Sequence, residues 1–379
     1  RMIFSGLKHT GKAPFDTVLF HGLLRDSQGR KMSKSLGNGI DPVDVINQYG
    51  ADALRFTLVT GNSPGNDARY SDEKVAASRN FANKIWNAAR FIHMNIDGHD
   101  VPCALPEALS LEDQWIVSRF NTVAKEVTEN LDKFELGMAV SKLYDFIWDD
   151  FCDWYIELAK RPLSGEDQAV AQNTRQVLVW VLTHTLALLH PFMPFVTEEI
   201  WQDLAPRAAG ESIMVARQPQ ADEQADEALL ARFELVKETI TAVRNIRKQK
   251  NLPQREVLTL EVIADANYPA DYAPVLTKMA NLSAIERVAE KDAAAAAFIV
   301  KTTQYFVPLG DRIDREAEIA KLGEELTYYE GFLQSVERKL SNERFVQSAP
   351  AAVVDKERAK KADAEAKIAA IREQLAALN

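Results

Sequence analysis

Hydrophobic residues recur every three or four positions through the middle of the chain, a spacing typical of helices that bury one face. Between Ser71 and about Arg217 this pattern predicts a helical bundle, with Trp86 on the apolar face of its first helix. The predicted helices cover 71–95, 110–131, 134–160 and 167–189, with a fifth after Thr197. Ser110 opens the second with a capping-box sequence and Thr197 is predicted to cap the fifth.

The pattern changes after residue 217. A long helix is predicted from apolar positions that share one face, namely Phe233, Val236, Ile240, Val243 and Ile246. Alternation of apolar and polar residues from Val257 to Ile263 predicts a strand, and shorter strands are predicted near 284–288 and 304–309. Residues 218–310 are therefore expected to form a small α+β domain.

The last segment, 311–379, has the heptad spacing of a coiled coil. The first apolar seam consists of Ile319, Leu322, Leu326, Tyr329, Leu333, Val336 and Leu340. After a break at 341–350, a second seam consists of Ile368, Ile371, Leu375 and Leu378. Because the break is long enough for the chain to reverse, we predict an antiparallel coiled-coil hairpin.

The first 70 residues combine short elements. The apolar run Val18–Leu24 predicts a buried strand. Asp41, followed by a proline, predicts the start of a helix that ends at Gly50, and a second short helix is predicted over Ala51–Thr60. The chain as a whole is therefore predicted to be mainly α.

Between that predicted strand and helix lies the run Lys31-Met32-Ser33-Lys34-Ser35. Ammonium groups and hydroxyls this close together suit a polyphosphate, because positive charge stabilises the negative charge that develops on a leaving phosphate. We predict Lys34 as the main catalytic contact, Lys31 as a supporting one, and hydrogen bonds to phosphate from Ser33 and Ser35. Met32 belongs to the same binding segment but is expected to be a buried anchor. From these residues alone, a solvated lysine-rich turn is the alternative.

Composition sets further bounds. The 379 residues are 46% hydrophobic and 26% charged, enough for several cores. No apolar stretch reaches the ~18 residues of a membrane span. Two cysteines exclude a disulfide framework and a four-cysteine zinc site, so we expect a reducing cytoplasm and no metal site. The net charge of −10 argues against a nucleic-acid partner, but residues 1–64 hold eight basic and five acidic side chains, net +3, so the loop region is locally positive.

The lysine run and its surroundings, from Phe20 to Phe56, resemble the second signature and the closing portion of the catalytic domain of class I aminoacyl-tRNA synthetases. The stretches 79–88, RNFANKIWNA, and 190–201, HPFMPFVTEEIW, resemble the anticodon-binding domain of the valine, isoleucine and leucine subgroup. The family's first signature, of the HIGH type, is absent. We therefore expect the C-terminal portion of a longer enzyme, inactive by itself.

The resemblance implies ATP with Mg²⁺ as a substrate of the full-length enzyme, and we add His21 and Gly22 to the ATP site. It also implies tRNA as a partner. In the bundle we predict anticodon contacts from Asn80, Asn83, Lys84, Asn87 and Arg90. An alternative is that some of these side chains only tie helices together.

Two further basic clusters are predicted to contact tRNA. One lies at the end of the long helix of the α+β domain and consists of Arg244, Arg247, Lys248 and Lys250. A solvated helix end that complements the helix dipole is the alternative. The other lies toward the tip of the terminal hairpin and consists of Arg338, Lys339 and Arg344. A dimerisation hairpin is the alternative there.

The chain's ending, from Lys339 to Val354, resembles the terminal arm of the valine-specific members of the subgroup, whereas isoleucine enzymes commonly end in a cysteine-rich zinc module. The resemblance implies an enzyme that activates valine with ATP and transfers it to tRNA(Val). We expect a monomer. The alternatives are a non-catalytic tRNA-binding or coiled-coil interaction protein, or the isoleucine-specific relative.

The expected organisation has four regions. They are the end of a catalytic domain with its lysine loop and stem-contact helices (1–70), a helical anticodon-binding domain (71–217), a small α+β domain (218–310) and a coiled-coil tRNA-binding arm (311–379).

Overall fold

The structure, a computed structural model, describes residues 1–221, 226–290, 295–309 and 315–341, with scattered positions between 354 and 375. The fold is mostly helical, as predicted. Contacts divide the chain into two units, Arg1–Ala231 and Arg232–Asn379.

The first unit begins with short elements. In chain order they are α1 (Met2–Thr10), β1 (Leu24–Arg25), α2 (Pro42–Tyr49), α3 (Ala51–Val59) and β2 (Ala68–Arg69). Helix α1, which the sequence pattern does not predict, exposes its apolar residues, with Phe4 76% exposed. The predicted cap of α2 is confirmed, because an Asp41 carboxylate oxygen accepts a hydrogen bond from the Val43 amide at 2.9 Å.

The prediction of a buried strand over Val18–Leu24 is wrong. Within this run only Leu24 has strand pairing, in a two-residue parallel ladder with β2, and Phe20 is 76% exposed. A strand needs neighbouring strands to satisfy its N–H and C=O groups. Among the described residues β2 is the neighbour, and it is too short to pair with the whole run. The apolar pattern therefore identifies residues that favour burial, but it does not show whether another segment packs on them.

The helical bundle follows. Its helices are α4 (Asp72–Ile96), α5 (Leu111–Asp132), α6 (Leu136–Asp145), α7 (Ile156–Leu163), α8 (Gln168–Leu189) and α9 (Pro194–Leu204). These bounds agree with the predicted helices to within a few residues. The predicted helix 134–160 has a π-helical segment, Phe146–Tyr155, between α6 and α7. A π turn adds one residue to the helical repeat, which apolar spacing alone does not reveal.

Large aromatic side chains fill the interior of the bundle. Trp115, Phe120 and Phe146 are each at most 1% exposed, and burying a side chain of this kind contributes roughly 1.5–3 kcal/mol. One buried polar pair links two of these helical segments. The Tyr155 hydroxyl donates to Asp113 at 2.5 Å, and Asp113 also completes the predicted capping box with Ser110.

The start of α9 differs from the prediction. Thr197 is not its N-cap, because the helix begins at Pro194 and the Thr197 hydroxyl donates to the Met193 carbonyl at 2.8 Å. Asp52 of α3 performs that role from a distance in sequence, since its buried carboxylate accepts the Phe195 and Val196 amides at 3.2 and 2.7 Å. Arg55, on the same helix, donates to the Pro191 carbonyl at 3.0 Å. Helix α3 thus holds the turn that precedes α9.

Helix α10 (Glu227–Gln249) leads into the second unit, where a four-stranded sheet follows. The further elements are β3 (Leu258–Ile263), α11 (Ala273–Met279), β4 (Leu282–Arg287), β5 (Ala295–Val300) and β6 (Thr303–Pro308). The strand order is β4-β3-β6-β5, with β3 and β4 parallel and the other pairs antiparallel. The predicted strands correspond to β3, β4 and β6, whereas β5, which begins in an alanine run, is not predicted from its sequence.

The second unit ends with α12 (Arg315–Leu340) and positions from the segment that follows it. Ion pairs join Glu330 to Arg372 at 2.7 Å, Glu337 to Lys361 at 2.9 Å and Lys339 to Glu357 at 3.8 Å. The partners in α12 rise in number, from 330 to 337 to 339, while their partners after it fall, from 372 to 361 to 357. The two segments therefore lie antiparallel at these positions.

Candidate nucleotide loop and nucleic-acid interfaces

The segment Asp26–Asn38, here called the nucleotide loop, leaves β1 and returns to the start of α2. Its lysine run forms a short 3₁₀ turn over Lys34–Leu36, capped by the Ser33 hydroxyl, which accepts the Leu36 amide at 3.3 Å. Gly37 ends the turn at φ 63°, a left-handed conformation that glycine adopts without strain. The side chains of Lys31 and Lys34 are exposed, as a phosphate contact requires.

Met32 is partly buried and packs against a core cluster that includes Val45, Leu54 and Tyr70. This contact agrees with the expected anchoring role of Met32. It leaves Met32 turned toward the protein while the lysines on either side of it stay exposed.

A buried carboxylate organises the polar side of the loop. Asp26 is 7% exposed and accepts hydrogen bonds from the Gln28 amide at 3.1 Å, the Arg30 amide at 2.8 Å and Arg30 Nε at 2.8 Å. The two amides bond Oδ1, whereas Arg30 Nε bonds Oδ2, which also accepts Asn38 Nδ2 at 2.9 Å. The bond from Asn38, with the bonds and charge of Arg30 against the effect of burial, lowers the pKa of Asp26 from 3.8 to about 2. The composition of the lysine run indicated phosphate chemistry but gave no sign of the role of this aspartate.

His21 and Gly22 lie apart from the lysine run. They line an apolar cavity of about 510 Å³ together with residues of α3, Phe134 and Gly137, and no residue of 31–35 lines it. Gly22 is required by a close approach, since a Cβ there would lie 1.6 Å from the Asn66 carbonyl oxygen. Within the part of the chain that the structure describes, the two halves of the predicted ATP site therefore do not share a pocket.

The predicted anticodon contacts lie on α4. Asn80, Asn83, Asn87 and Arg90 are exposed along one side of that helix. Lys84 is half-buried, because its ammonium pairs with Asp153 at 2.6 Å and lies 4.9 Å from the ring centre of Trp148. Lys84 therefore matches the alternative in which a residue ties helices together.

Trp86 also differs from the prediction. It is 48% exposed rather than packed in the core. It follows Ile85, which takes the buried position on α4 at 2% exposure. The exposed indole of Trp86 adds an apolar surface beside the asparagines, although the periodicity of the sequence predicted that it is buried.

The basic end of α10 contains one clear correction. Arg247 is 1% exposed and cannot reach a tRNA backbone. Its guanidinium donates to the carbonyls of Glu256, Asn281, Ala280 and Pro253 at 2.7, 2.8, 3.0 and 3.3 Å. Burial lowers the pKa of Arg247 below the ordinary value for arginine, partly offset by the charge of Glu256. Arg247 joins the end of α10 to the loop and sheet that follow, and we withdraw it from the predicted interface.

The other residues of this cluster remain at the surface to different degrees. Lys248 is exposed, Lys250 is half-buried, and Arg244 is exposed while it donates to the Met279 carbonyl at 3.1 Å. In the terminal segment Arg338 and Lys339 are exposed, with Lys339 3.8 Å from Glu357. The prediction for Arg344 falls outside the described residues.

The described residues offer neither a metal site nor a membrane-spanning helix. They contain no group of three or more His, Cys, Asp and Glu side chains placed to hold a metal ion. Their helices include none that is both long enough and apolar enough to cross a membrane. Both cysteines are free, Cys103 exposed and Cys152 buried.

Comparison with protein families gives three matches. A family described as "tRNA synthetases class I (I, L, M and V)" matches residues 1–71. "Anticodon-binding domain of tRNA ligase" matches 113–264, and "Valyl tRNA synthetase tRNA binding arm" matches 314–379. The first includes the whole nucleotide loop.

Individual relatives match this chain over its whole length. A valine–tRNA ligase from Clostridium perfringens is 48% identical over 391 aligned residues, which cover 100% of this chain and 44% of the relative. One from Enterococcus faecalis is 46% identical with the same coverage. The chain thus spans less than half the length of these curated relatives.

Two solved structures were also matched. A ternary LeuRS-tRNA-LeuAMS complex from Agrobacterium radiobacter K84 gives a TM-score of 0.44 at 18% identity, covering 64% of this chain and 25% of its own. A Mycobacterium tuberculosis methionyl-tRNA synthetase with methionyl-adenylate gives 0.41 at 27% identity, covering 48% and 36%. Scores this low support no structural conclusion.

The lysine loop and the family matches place the chain among the class I aminoacyl-tRNA synthetases. Identity of 46–48% over its whole length, together with the matched arm, narrows this further. Within the class, the chain belongs to the valine–tRNA ligase family.

Proposed function

We propose that this sequence forms the C-terminal portion of a valine–tRNA ligase, which joins valine to tRNA(Val) with ATP as the energy source. The observation that carries the proposal is the identity of 48% to a valine–tRNA ligase over all of the chain, nucleotide loop included. Because the chain covers 44% of that relative, we expect it to be inactive alone. The proposed longer enzyme forms valyl-adenylate and pyrophosphate, and then valyl-tRNA and AMP.

The proposed role of the nucleotide loop in this chemistry is electrostatic. As the valine carboxylate attacks the α-phosphate, negative charge develops on the pyrophosphate that leaves. The exposed ammonium of Lys34 is proposed to bind that charge, with Lys31, Ser33 and Ser35 as further contacts to the phosphates. His21 and Gly22 remain proposed ATP contacts, although they line a cavity that no residue of 31–35 lines.

Mg²⁺ fits this site as part of the substrate. The loop presents ammonium groups and hydroxyls rather than carboxylates, and its one buried carboxylate, Asp26, is already engaged by donors. We propose that the ion arrives on the ATP phosphates, which commonly supply its ligands together with water. We propose no zinc site in this chain.

The tRNA-binding surfaces are proposed to be the exposed side of α4, the end of α10 and the terminal arm. Asn80, Asn83, Asn87 and Arg90 would contact unpaired bases and their phosphates, since single-stranded loops are recognised through polar edges and stacking. At the end of α10 the set becomes Arg244, Lys248 and Lys250, and in the arm it is Arg338, Lys339 and Arg344.

The four-region organisation with boundaries near 70, 217 and 310 is also part of the proposal. Family matches that end at 71 and begin at 314 support the boundaries near 70 and 310, whereas the anticodon-binding match, 113–264, runs across 217. The antiparallel order of the ion pairs between α12 and the segment after it supports a coiled-coil hairpin for the arm. We further propose a monomer in the cytoplasm, where the two free thiols are stable.

The test is pyrophosphate exchange by a full-length enzyme that carries this sequence, with valine, isoleucine and leucine in parallel. We expect exchange with valine to exceed the others, and absence of exchange with valine would refute the proposal. Filter binding of the chain alone to tRNA(Val) at two salt concentrations tests the binding surfaces. tRNA binding without exchange by the full-length enzyme would favour a non-catalytic binding protein.

A further inference from the structure

Among the attachments of the nucleotide loop to the protein, two lie close to its lysines in sequence. The apolar attachment is Met32, which packs on the cluster of Val45, Leu54 and Tyr70. The polar attachment is a pair of side chains, Asp26 and Asn38, here called the Asp26–Asn38 clasp. Neither member of the clasp has a part in the chemistry proposed above.

The clasp joins the two ends of the loop. Asp26 follows β1 and Asn38 lies twelve positions later, and the hydrogen bond between them is 2.9 Å. The Asn38 side chain then reaches the lysine run itself. Its Oδ1 accepts the Ser33 amide at 3.0 Å, and its Nδ2 also donates to the Lys31 carbonyl at 3.3 Å. The backbone is therefore fixed on both sides of Met32.

The position of Lys34 follows from these bonds. Ser33, held by Asn38, is the cap from which the 3₁₀ turn Lys34–Leu36 starts. Asp26 also fixes the other branch of the loop, because it accepts both the amide and the Nε of Arg30, the residue before Lys31. The carboxylate thus restrains the backbone that leads to each lysine without contacting either ammonium.

We propose that Asp26 is a positioning residue for the nucleotide loop: through Asn38 and Arg30 it sets the backbone from which Lys31 and Lys34 contact the phosphates during valine activation. This inference rests on the proposed function. The loop must present charge at a fixed place when pyrophosphate leaves, and misplacement by 1 Å can cost about 100-fold in rate. Solvated lysines on long flexible stems need a rigid backbone to do so.

The chemistry of the clasp requires a carboxylate at position 26. Four donor groups converge on it, the amides of Gln28 and Arg30, Arg30 Nε and Asn38 Nδ2. An asparagine has a single acceptor oxygen, and its own NH₂ would face two of those donors, because each oxygen of Asp26 accepts two of them. Asp26→Asn therefore breaks the clasp with little change in side-chain size.

A first experiment measures the clasp directly in this chain by amide hydrogen exchange. Asp26→Asn and Asn38→Ala are each expected to accelerate exchange of the Ser33 amide by about tenfold or more. Asn38→Ala removes the acceptor of that amide, and Asp26→Asn removes the bond that holds Asn38 in place. The core amide of Val127 serves as an internal reference. Asp41→Asn is the matched control, since it makes the same charge change while an asparagine still caps α2. Unchanged Ser33 exchange in both clasp variants would overturn the proposal.

A second experiment separates positioning from general stability in the full-length enzyme. Asp26→Asn is expected to lower kcat/KM for ATP in pyrophosphate exchange by about 10- to 100-fold. Transfer of preformed valyl-adenylate to tRNA should change less than about threefold, because pyrophosphate has already left. The swap Asp26→Asn with Asn38→Asp should recover part of the lost rate, since an amide at 26 can donate to a carboxylate at 38 that still accepts the Ser33 amide.

The outcomes distinguish the inference from the function on which it rests. Equal loss in activation and transfer would show a merely structural role and overturn the inference. An active unsubstituted enzyme in which Asp26→Asn leaves activation unchanged would also overturn it, while the proposed function stands. An unsubstituted enzyme that shows no exchange with valine would remove the proposed function itself.

Discussion

The nucleotide loop and the end of α10 are both short basic segments, yet the structure uses their cations in opposite ways. In the loop, uncharged and acidic side chains bind the backbone, through Asp26 and Asn38, and the ammonium groups of Lys31 and Lys34 stay exposed. At the end of α10, the cation itself binds the backbone, because Arg247 donates to the carbonyls around it. A basic side chain that donates to several carbonyls from a buried position, as Arg247 does, is not available to a ligand.

The largest expected effect tests the exposed member of this comparison. Lys34→Ala in the full-length enzyme should lower the rate of pyrophosphate exchange by about 10²- to 10³-fold, since one contact to developing charge is worth roughly 2.7–4 kcal/mol. Thermal stability should not change, because the ammonium is exposed. Lys8→Ala, at another exposed lysine, on α1, is the control. A loss below threefold would show that exposure of Lys34 has no catalytic meaning.

The second prediction tests the buried member. Arg247→Ala should reduce the free energy of unfolding of the second unit by about 3 kcal/mol, because buried carbonyls lose their donor. The neighbouring change Lys248→Ala should stay within about 0.5 kcal/mol, as surface substitutions usually do. Urea denaturation followed by circular dichroism measures both. If the two variants have equal free energies of unfolding, the contacts of Arg247 contribute no more to stability than those of the exposed Lys248, and the prediction is wrong.

The third prediction asks whether the exposed cations of α10 bind nucleic acid at all. Lys248→Glu should weaken tRNA binding severalfold and reduce the slope of log K against log salt by about one, as expected for a lost phosphate contact. Lys125→Glu, an exposed lysine on α5, is the matched charge reversal. If both variants keep the slope of the unsubstituted chain, the end of α10 is a solvated helix end.

The smallest effect concerns acid. The clasp depends on the Asp26 carboxylate, whose pKa is lowered to about 2. The comparable contacts at the end of α10 come from an arginine, a residue type that stays protonated throughout the accessible range. A lowered pKa means that the bonds of Asp26 are fully present above pH 3.8 and are lost as the pH falls toward 2. NMR titration of the side-chain carboxyl carbon should therefore give a midpoint near 2. A midpoint at or above 3.8 would show that the clasp is not formed in solution.

The sequence predicted the helices well because each has its own apolar face and some have a local cap. Ser110 and Asp41 illustrate this, since their cap bonds depend on residues two or three positions away. What the sequence missed depends on distant neighbours. Trp86 has the spacing of a core residue but is 48% exposed, and Arg247 has the spacing of a surface residue but is 1% exposed. Their environments come from segments far along the chain.

The candidate site divides in the same way. The lysines of the nucleotide loop could be found from composition and spacing, because charge and hydroxyls in one short run indicate phosphate chemistry. Asp26 and Asn38 could not, since a carboxylate in a turn and an asparagine after a glycine are ordinary surface residues until their hydrogen bonds are seen. The failed strand at Val18–Leu24 has the same cause, because pairing is a property of two segments.

The bond from Asp52 to the start of α9 has a practical consequence for anyone who wishes to isolate the anticodon-binding bundle. A truncated protein that starts at residue 71, where the region boundary is proposed, would lack Asp52 and Arg55 and leave the Phe195 and Val196 amides without their acceptor. A shortened chain that starts before Ala51 would retain them. The smallest autonomous piece of this unit is thus larger than the region that gives it its name.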